Sequence, residues 1–261
     1  MGRLDNLLVT CAAHSSPTKN CHHFLLAMRE EGATLQLGET SADVALTRNN
    51  QSVLVAKAFA ANPKLEWLLW IDWDISAPVE SVELLIAVAR ALDAHEGYHP
   101  SVSGSYVNRH YKERSELAAF ALNECATCVV TLPDAMGGAD LSLSCVQALT
   151  GMGCFLQHRE AFEAHVRESE TFRFLPGVNS PCMCQQHVMH ASELSQWVDV
   201  NPNEDERYWC AEDFDYCVRE LEHGRYVYVA PIVFGHDKLV RCEPDSRTVF
   251  PGLVPTAELK S

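Results

Sequence analysis

One stretch limits the fold of this chain more than any other. Glu66-Trp67-Leu68-Leu69-Trp70-Ile71-Asp72-Trp73-Asp74 is an apolar strand that runs into two carboxylates one residue apart, and Pro78 then opens a helix. Side chains alternate faces along a strand, so Asp72 and Asp74 can point the same way at its carboxyl end, where open α/β sheets place their ligands. Paired carboxylates suit Mg²⁺ or Mn²⁺, which take hard oxygen ligands and are commonly completed by substrate phosphates.

The segments around this strand alternate in type. Leu7 to Ala13 reads as a first strand, followed by the loop His14-Ser15-Ser16-Pro17-Thr18 and a helix from Lys19 to Glu31. Ala33 to Leu37 predicts a short second strand, and Val44 to Asn50 leads into a buried helix over Gln51 to Ala61. Beyond the acidic strand come a helix from Val79 to His95 and a strand from Ser101 to Tyr106. Repeated βα units of this kind predict a mostly parallel sheet with right-handed crossovers. The second half is less regular, with strands expected at Cys128 to Leu132 and Leu141 to Leu149, and Gly151-Met152-Gly153-Cys154-Phe155-Leu156 breaking into a helix from Arg159 to Arg167. Residues 170 to 207 carry few periodic signals and read as a substrate loop or lid. No linker divides the chain, which is expected to form one domain of 261 residues.

The net charge of −15 disfavours broad attachment to nucleic acid or anionic membranes. Arg109, His110, Lys112 and Arg114 form the one concentrated basic cluster and offer the place where DNA would engage. The sequence predicts no membrane span and no signal peptide, so a cytoplasmic protein is expected. Most of the eleven cysteines read as reduced core residues. Cys125 and Cys128 make a CxxC, and with Cys182 and Cys184 they could supply four thiolates to a structural Zn²⁺. His95, His158 and His165 read as surface or satisfied core histidines.

Near the carboxyl end, Trp209-Cys210-Ala211-Glu212-Asp213-Phe214 places two acids at a helix start, where the dipole favours ionised carboxylates and a general base could sit. Downstream, Pro231-Ile232-Val233-Phe234-Gly235-His236 ends an apolar run in an imidazole, a candidate third metal ligand.

In the order of these motifs the chain resembles nucleotide-sugar-dependent glycosyltransferases of the GT-A fold, most of all the small family 2 type and its phage-encoded relatives. The resemblance runs from about residue 5 to 237 and rests on Thr47-Arg48-Asn49, the Asp72/Asp74 pair, Gly151 to Leu156 with the following Arg159-Glu160-Ala161-Phe162, Glu212-Asp213, and Gly235-His236. It implies a Rossmann-like α/β fold with a donor-binding half over 5–106, an acceptor-binding and catalytic half over 107–240 and a tail over 241–261.

Carried over, Asp74 and His236 hold Mn²⁺ or Mg²⁺, Asp72 contacts the ribose or the metal shell, and Arg48, His14 and Asn49 face the nucleotide. Asp213 deprotonates the acceptor with Glu212 in support, and Gly151, Gly153 and Trp209 lie beneath the acceptor. The implied activity is hexosyl transfer with inversion from a nucleotide diphosphate sugar, first of all a UDP-sugar. The acceptor would be a glycan or, in the host cytoplasm for a phage enzyme, a hydroxymethylated or aminomethylated pyrimidine in DNA. Trp73 stands where the family carries a small or acidic residue, and the family's Arg-Trp pair after the base is missing, although Arg219 follows six residues later. Two other classes share parts of this pattern. A sugar-nucleotide nucleotidyltransferase would need a Gly-rich basic loop after the first strand, and a noncatalytic nucleotide-sugar-binding module would show no turnover.

Overall fold

The computed structural model describes residues 2–12, 16–38, 43–106, 119–123, 126–133, 139–169, 182–199, 202 and 207–237. The chain opens with β1 (Leu7–Ala12), α1 (Lys19–Glu30), β2 (Thr34–Leu35), α2 (Val44–Ala61), β3 (Trp67–Asp72), β4 (Ile75–Ser76), α3 (Val79–Glu96) and β5 (Ser101–Ser105). It continues through β6 (Ala119–Ala121), β7 (Thr127–Leu132), β8 (Leu141–Thr150), β9 (Cys154–His158), α4 (Arg159–Ser169), β10 (His187–His190) and α5 (Ala191–Leu194). The last elements are β11 (Arg207–Cys210), α6 (Glu212–Glu222), β12 (Val227–Val233) and β13 (Gly235–His236).

Among the described residues nine strands form the main sheet, in the order β2-β1-β3-β9-β5-β12-β8-β6 with β7 also on β8. β2, β1, β3, β5, β12, β7 and β6 share one direction, while β9 and β8 run against it. The expected α/β fold is present as a mixed sheet with most strands parallel in direction. The region after β8 differs from expectation: Gly151 to Leu156, read as a loop beneath the acceptor, includes the start of β9, which lies between β3 and β5 and pairs with both. Its residues Cys154, Phe155, Leu156 and Gln157 are buried on both faces, so the short run carries none of the alternation that marks a half-exposed strand.

Alternation along the strands sorts side chains to two cores. Leu7, Val9, Cys11, Trp67, Leu69 and Ile71 pack with α1 and α3 on one face, and Leu8, Leu68 and Trp70 pack with α2, α4 and α6 on the other. α1 contributes Cys21, Phe24, Leu25 and Met28 at helical spacing, and its first turn is capped by Thr18, whose hydroxyl accepts from the Cys21 amide at 3.2 Å. Burying a side chain of this size contributes roughly 1.5–3 kcal/mol, so the two faces together dominate the stability of the fold. A buried polar chain crosses the second core: Trp70 Nε1 donates to Gln157 Oε1 at 2.8 Å, and Gln157 Nε2 donates to the Tyr216 hydroxyl. It ties β3, β9 and α6 into one unit.

α2 begins earlier than its apolar pattern indicates. Asp43 caps it by accepting from the Leu46 amide at 2.9 Å, and its first turns bury Thr47, Arg48, Asn49, Gln51 and Ser52. A helix start that buries polar groups has no apolar period to read, and here those groups serve the site.

Candidate active site

The parallel strands end at one edge, and the candidate residues gather there. Asp72 closes β3, and the chain turns through Trp73 and Asp74 into β4. β13 pairs antiparallel with β4, with His236 opposite Ile75, and the Asp237 amide donates to the Asp74 carbonyl at 2.6 Å. This small ladder brings His236 Nε2 to 3.1 Å from Asp74 Oδ2, with both side chains at least nine-tenths buried. Asp237, which the sequence did not mark, accepts from the Thr18 hydroxyl at 2.6 Å and from Asn20 Nδ2 at 2.9 Å, locking this corner to the start of α1.

Asp72 takes a different course from Asp74. Its Oδ1 accepts from Arg48 Nη2 at 3.0 Å, and Arg48 Nη1 reaches Glu212 Oε1 at 2.6 Å. Arg48 is buried, and although burial works against its charge, Asp72 and Glu212 hold it firmly protonated. The residue expected to face a nucleotide is thus a bracket between two acids on different elements. Among the described residues, Asp72, Asp74 and His236 do not bring ligand atoms to a common point; Asp74 and His236 do so as a pair, and Arg48 draws Asp72 aside.

Asn49 also differs from its expected role. Its amide donates to the Cys184 carbonyl at 3.0 Å and accepts from the Met183 amide at 2.9 Å, clamping the segment before β10. Arg219 does similar work from α6, donating to the Cys182 carbonyl and to Asp215, each at 2.8 Å.

Glu212 and Asp213 open α6 and are held unequally. Glu212 is fixed by Arg48 and by Gln186 Nε2 at 3.2 Å. Asp213 keeps part of its surface accessible, and its Oδ1 accepts from the Phe214 amide at 2.9 Å. Burial, then repulsion from Glu212 and Asp72, push the Asp213 carboxyl up to about 7, against the pull of Arg48. A carboxyl poised near neutrality and still partly accessible suits proton abstraction.

Gly151 and Gly153 are required by close approach. A Cβ at Gly151 would lie 2.1 Å from the Tyr106 hydroxyl and 3.1 Å from Asp213 Oδ2, and one at Gly153 would lie 2.9 Å from the Tyr106 ring. Tyr106 accepts from the Gly153 amide at 2.9 Å and meets the His236 ring edge to face at 6.0 Å between centroids. Burial, with Asp213 and Asp72 nearby, keeps its hydroxyl protonated. Sequence reading had Tyr106 only as the last residue of a strand, yet the rule that picked out Asp72, the ligand-facing strand end, applies to it equally.

His14, Cys125 and the Arg109 to Arg114 cluster lie outside the described residues, as does the side chain of Trp209, whose backbone belongs to β11. Among the described residues, Cys128, Cys182 and Cys184 share no metal position, since Cys128 lies in the first core and Cys184 in the second. The expected four-cysteine zinc site is therefore not assembled by them. A cavity of about 760 Å³ opens elsewhere, lined by His165, Glu168, His187, Glu193, Arg219 and Glu222, and includes none of Asp72, Asp74, Asp213 or His236.

No protein-family model and no curated protein matches the chain. Among solved structures, A197 from STIV is similar with a TM-score of 0.47 and 13% identity, over 89% of this chain and 86% of that one. A glycosyltransferase involved in the glycosylation of the major capsid of PBCV-1 is similar with a TM-score of 0.35 and 11% identity, over 66% of this chain and 70% of that one. No helix among the described residues is long and apolar enough to cross a membrane.

Proposed function

We propose that this chain is a metal-dependent glycosyltransferase that moves a sugar from a nucleoside diphosphate to an acceptor with inversion at the anomeric carbon. The observation that carries the reading is the meeting of two unlike carboxylate centres at one sheet edge. Asp74 stands 3.1 Å from His236 at one, and Asp213, raised to about 7, stands at the other. Arg48 joins the two through Asp72 and Glu212.

The donor set at the first centre fits a hard divalent ion. A carboxylate oxygen and an imidazole nitrogen at this spacing match neighbouring positions around an ion with bonds of about 2.1 Å, leaving further positions for water and phosphate oxygens. Asp74 and His236 would hold Mn²⁺ or Mg²⁺, which when bound supplies positive charge against the diphosphate leaving group.

The chain's own residues account for the rest of the reaction. Asp213 accepts the proton of the acceptor hydroxyl or amine as that atom bonds to the anomeric carbon. The bond from that carbon to the diphosphate oxygen breaks on the opposite side, and its electron pair leaves with the diphosphate. Attack opposite the leaving group inverts the centre. Asp72, held by Arg48, would accept from a ribose hydroxyl. The bare Gly151 and Gly153 backbone lets Tyr106 pack against it beside Asp213, where the acceptor would approach.

The test is turnover. The protein is incubated with Mn²⁺ or Mg²⁺ and UDP-, GDP- and dTDP-sugars, with glycan and hydroxymethylated DNA acceptors in separate arms, and nucleoside diphosphate release is followed. Release that requires metal and disappears in Asp74→Ala supports the reading and identifies the donor. No release with any donor in either arm would turn the assignment toward a noncatalytic binding module.

A further inference from the structure

We propose a second metal site, for Zn²⁺ or a similar borderline divalent ion, formed by His99, His158 and Glu160 at the edge of the sheet opposite the Asp74 centre. One ligand atom from each residue lies within 4.8 Å of the others. The three come from separate segments: His99 from the loop between α3 and β5, His158 from the end of β9, and Glu160 from the first turn of α4. His158 pairs with Trp67 at the start of β3, so the site sits roughly 17 Å along that strand from Asp72.

The arrangement goes beyond proximity. His99 Nδ1 is 2.7 Å from Asp93 Oδ2, which leaves Nε2 turned toward Glu160 Oε2 at 3.4 Å. A carboxylate on the far nitrogen fixes the tautomer and ring orientation of a metal-binding histidine and raises its basicity, and Asp93 is placed for that work. Ligand atoms around a tetrahedral zinc with bonds of 2.0–2.1 Å stand about 3.3 Å apart, close to the His99 to Glu160 separation. The His158 ring stacks on the His99 ring with centroids 3.7 Å apart and its Nδ1 accepts from the Glu160 amide at 3.3 Å, so the His158 ring turns when both imidazoles ligate one ion. Trp67 meets the His158 ring edge-on at 5.0 Å.

Two imidazoles with one carboxylate favour zinc, cobalt or nickel over magnesium, whereas the carboxylate-rich sheet edge at Asp72 and Asp74 favours harder ions. Three protein ligands leave a fourth position for water. A metal here would fasten the α3 to β5 loop and the start of α4 to the end of β9.

The full chain carrying Asp74→Ala is titrated with Zn²⁺ by calorimetry and with Co²⁺ by visible absorption, which separates this site from the proposed active-site metal and from the cysteines. We expect one equivalent bound without a thiolate charge-transfer band. Adding His99→Ala should abolish that binding, and Asp93→Asn should weaken it about 10- to 100-fold, with circular dichroism unchanged in both. Glu160→Gln, at an exposed position, should also weaken it while leaving the fold intact. No binding to the Asp74→Ala protein, binding that survives His99→Ala, or a thiolate band would overturn the site.

Discussion

The two ends of α6 hold carboxylates of opposite character. Asp213 at the amino end is pushed up to about 7, while Glu220 near the carboxyl end is drawn down to about 2. The helix dipole alone would do the reverse, favouring charge at the amino end by about 0.3–1 kcal/mol. Local donors decide the matter. Burial would raise Glu220, but Arg225 and His165 outweigh it, with Arg225 Nε at 2.9 Å and Nη2 at 2.8 Å. His165 also touches the Met183 carbonyl at 2.9 Å, so this cluster anchors a neighbouring segment. Among the described residues Asp213 receives one hydrogen bond, from the Phe214 amide, while Arg48 is engaged by Asp72 and Glu212. One helix thus carries one acid that is fully matched by donors and one, the proposed base, that is undermatched.

Replacing the undermatched acid should have the largest effect. Asp213→Asn should lower turnover by about 10²- to 10⁴-fold with donor affinity retained; a variant within tenfold of the parent would remove Asp213 as the base. The matched acid should matter to stability instead. Glu220→Gln leaves Arg225 and His165 facing a neutral amide in a buried cluster, and urea unfolding at pH 7 should report a loss of about 3 kcal/mol. Because its folded pKa is depressed, the stabilisation is complete above about 4.5 and fades as pH falls through about 2. A parent protein whose stability stays flat across that window would break the contrast.

Asp213→Asn should also stabilise the fold at pH 8, by roughly 1–3 kcal/mol, and leave it unchanged near pH 4. A raised carboxyl keeps its proton longer in the folded state than in the unfolded one, so stability declines as pH climbs from about 4 to about 7 and is level beyond. Melting temperatures at the two pH values read the difference directly. The smallest expected change concerns the rate profile. kcat/KM should rise through about pH 7 as Asp213 ionises, and Glu212→Gln should move that limb down by up to about one unit by removing the nearest repelling charge. An unmoved limb would assign it to another group.

How much of this could be read in advance depended on what each segment buries. β1, β3, α1 and α3 were readable because each presents a clean apolar period to a core. The positions of Asp74, His236, Glu212 and Asp213 were readable because they stand where strands end and a helix begins. β9 escaped because it is apolar on both faces, and the start of α2 because its buried face is polar. The bracketing by Arg48 and the clamping by Asn49 depend on partners more than a hundred residues away, Glu212 and Cys184, which no local pattern specifies. His158 passed as an ordinary histidine and His99 drew no reading for the same reason: 59 residues separate them, and their meeting depends on β9 lying next to β5.

The place of β9 also orders assembly in time. β3 and β5 emerge early from the ribosome, but neither can complete its pairing until residues 154–158 arrive to fill the gap between them. Until then each offers an open edge of the kind that recruits other chains. A fragment ending near residue 106 would therefore carry the whole acidic strand and still lack a closed sheet, and it should aggregate rather than bind a nucleotide. Synthesis of the first 106 residues and their folding are separate events, and the second waits on β9, a strand from much later in the chain.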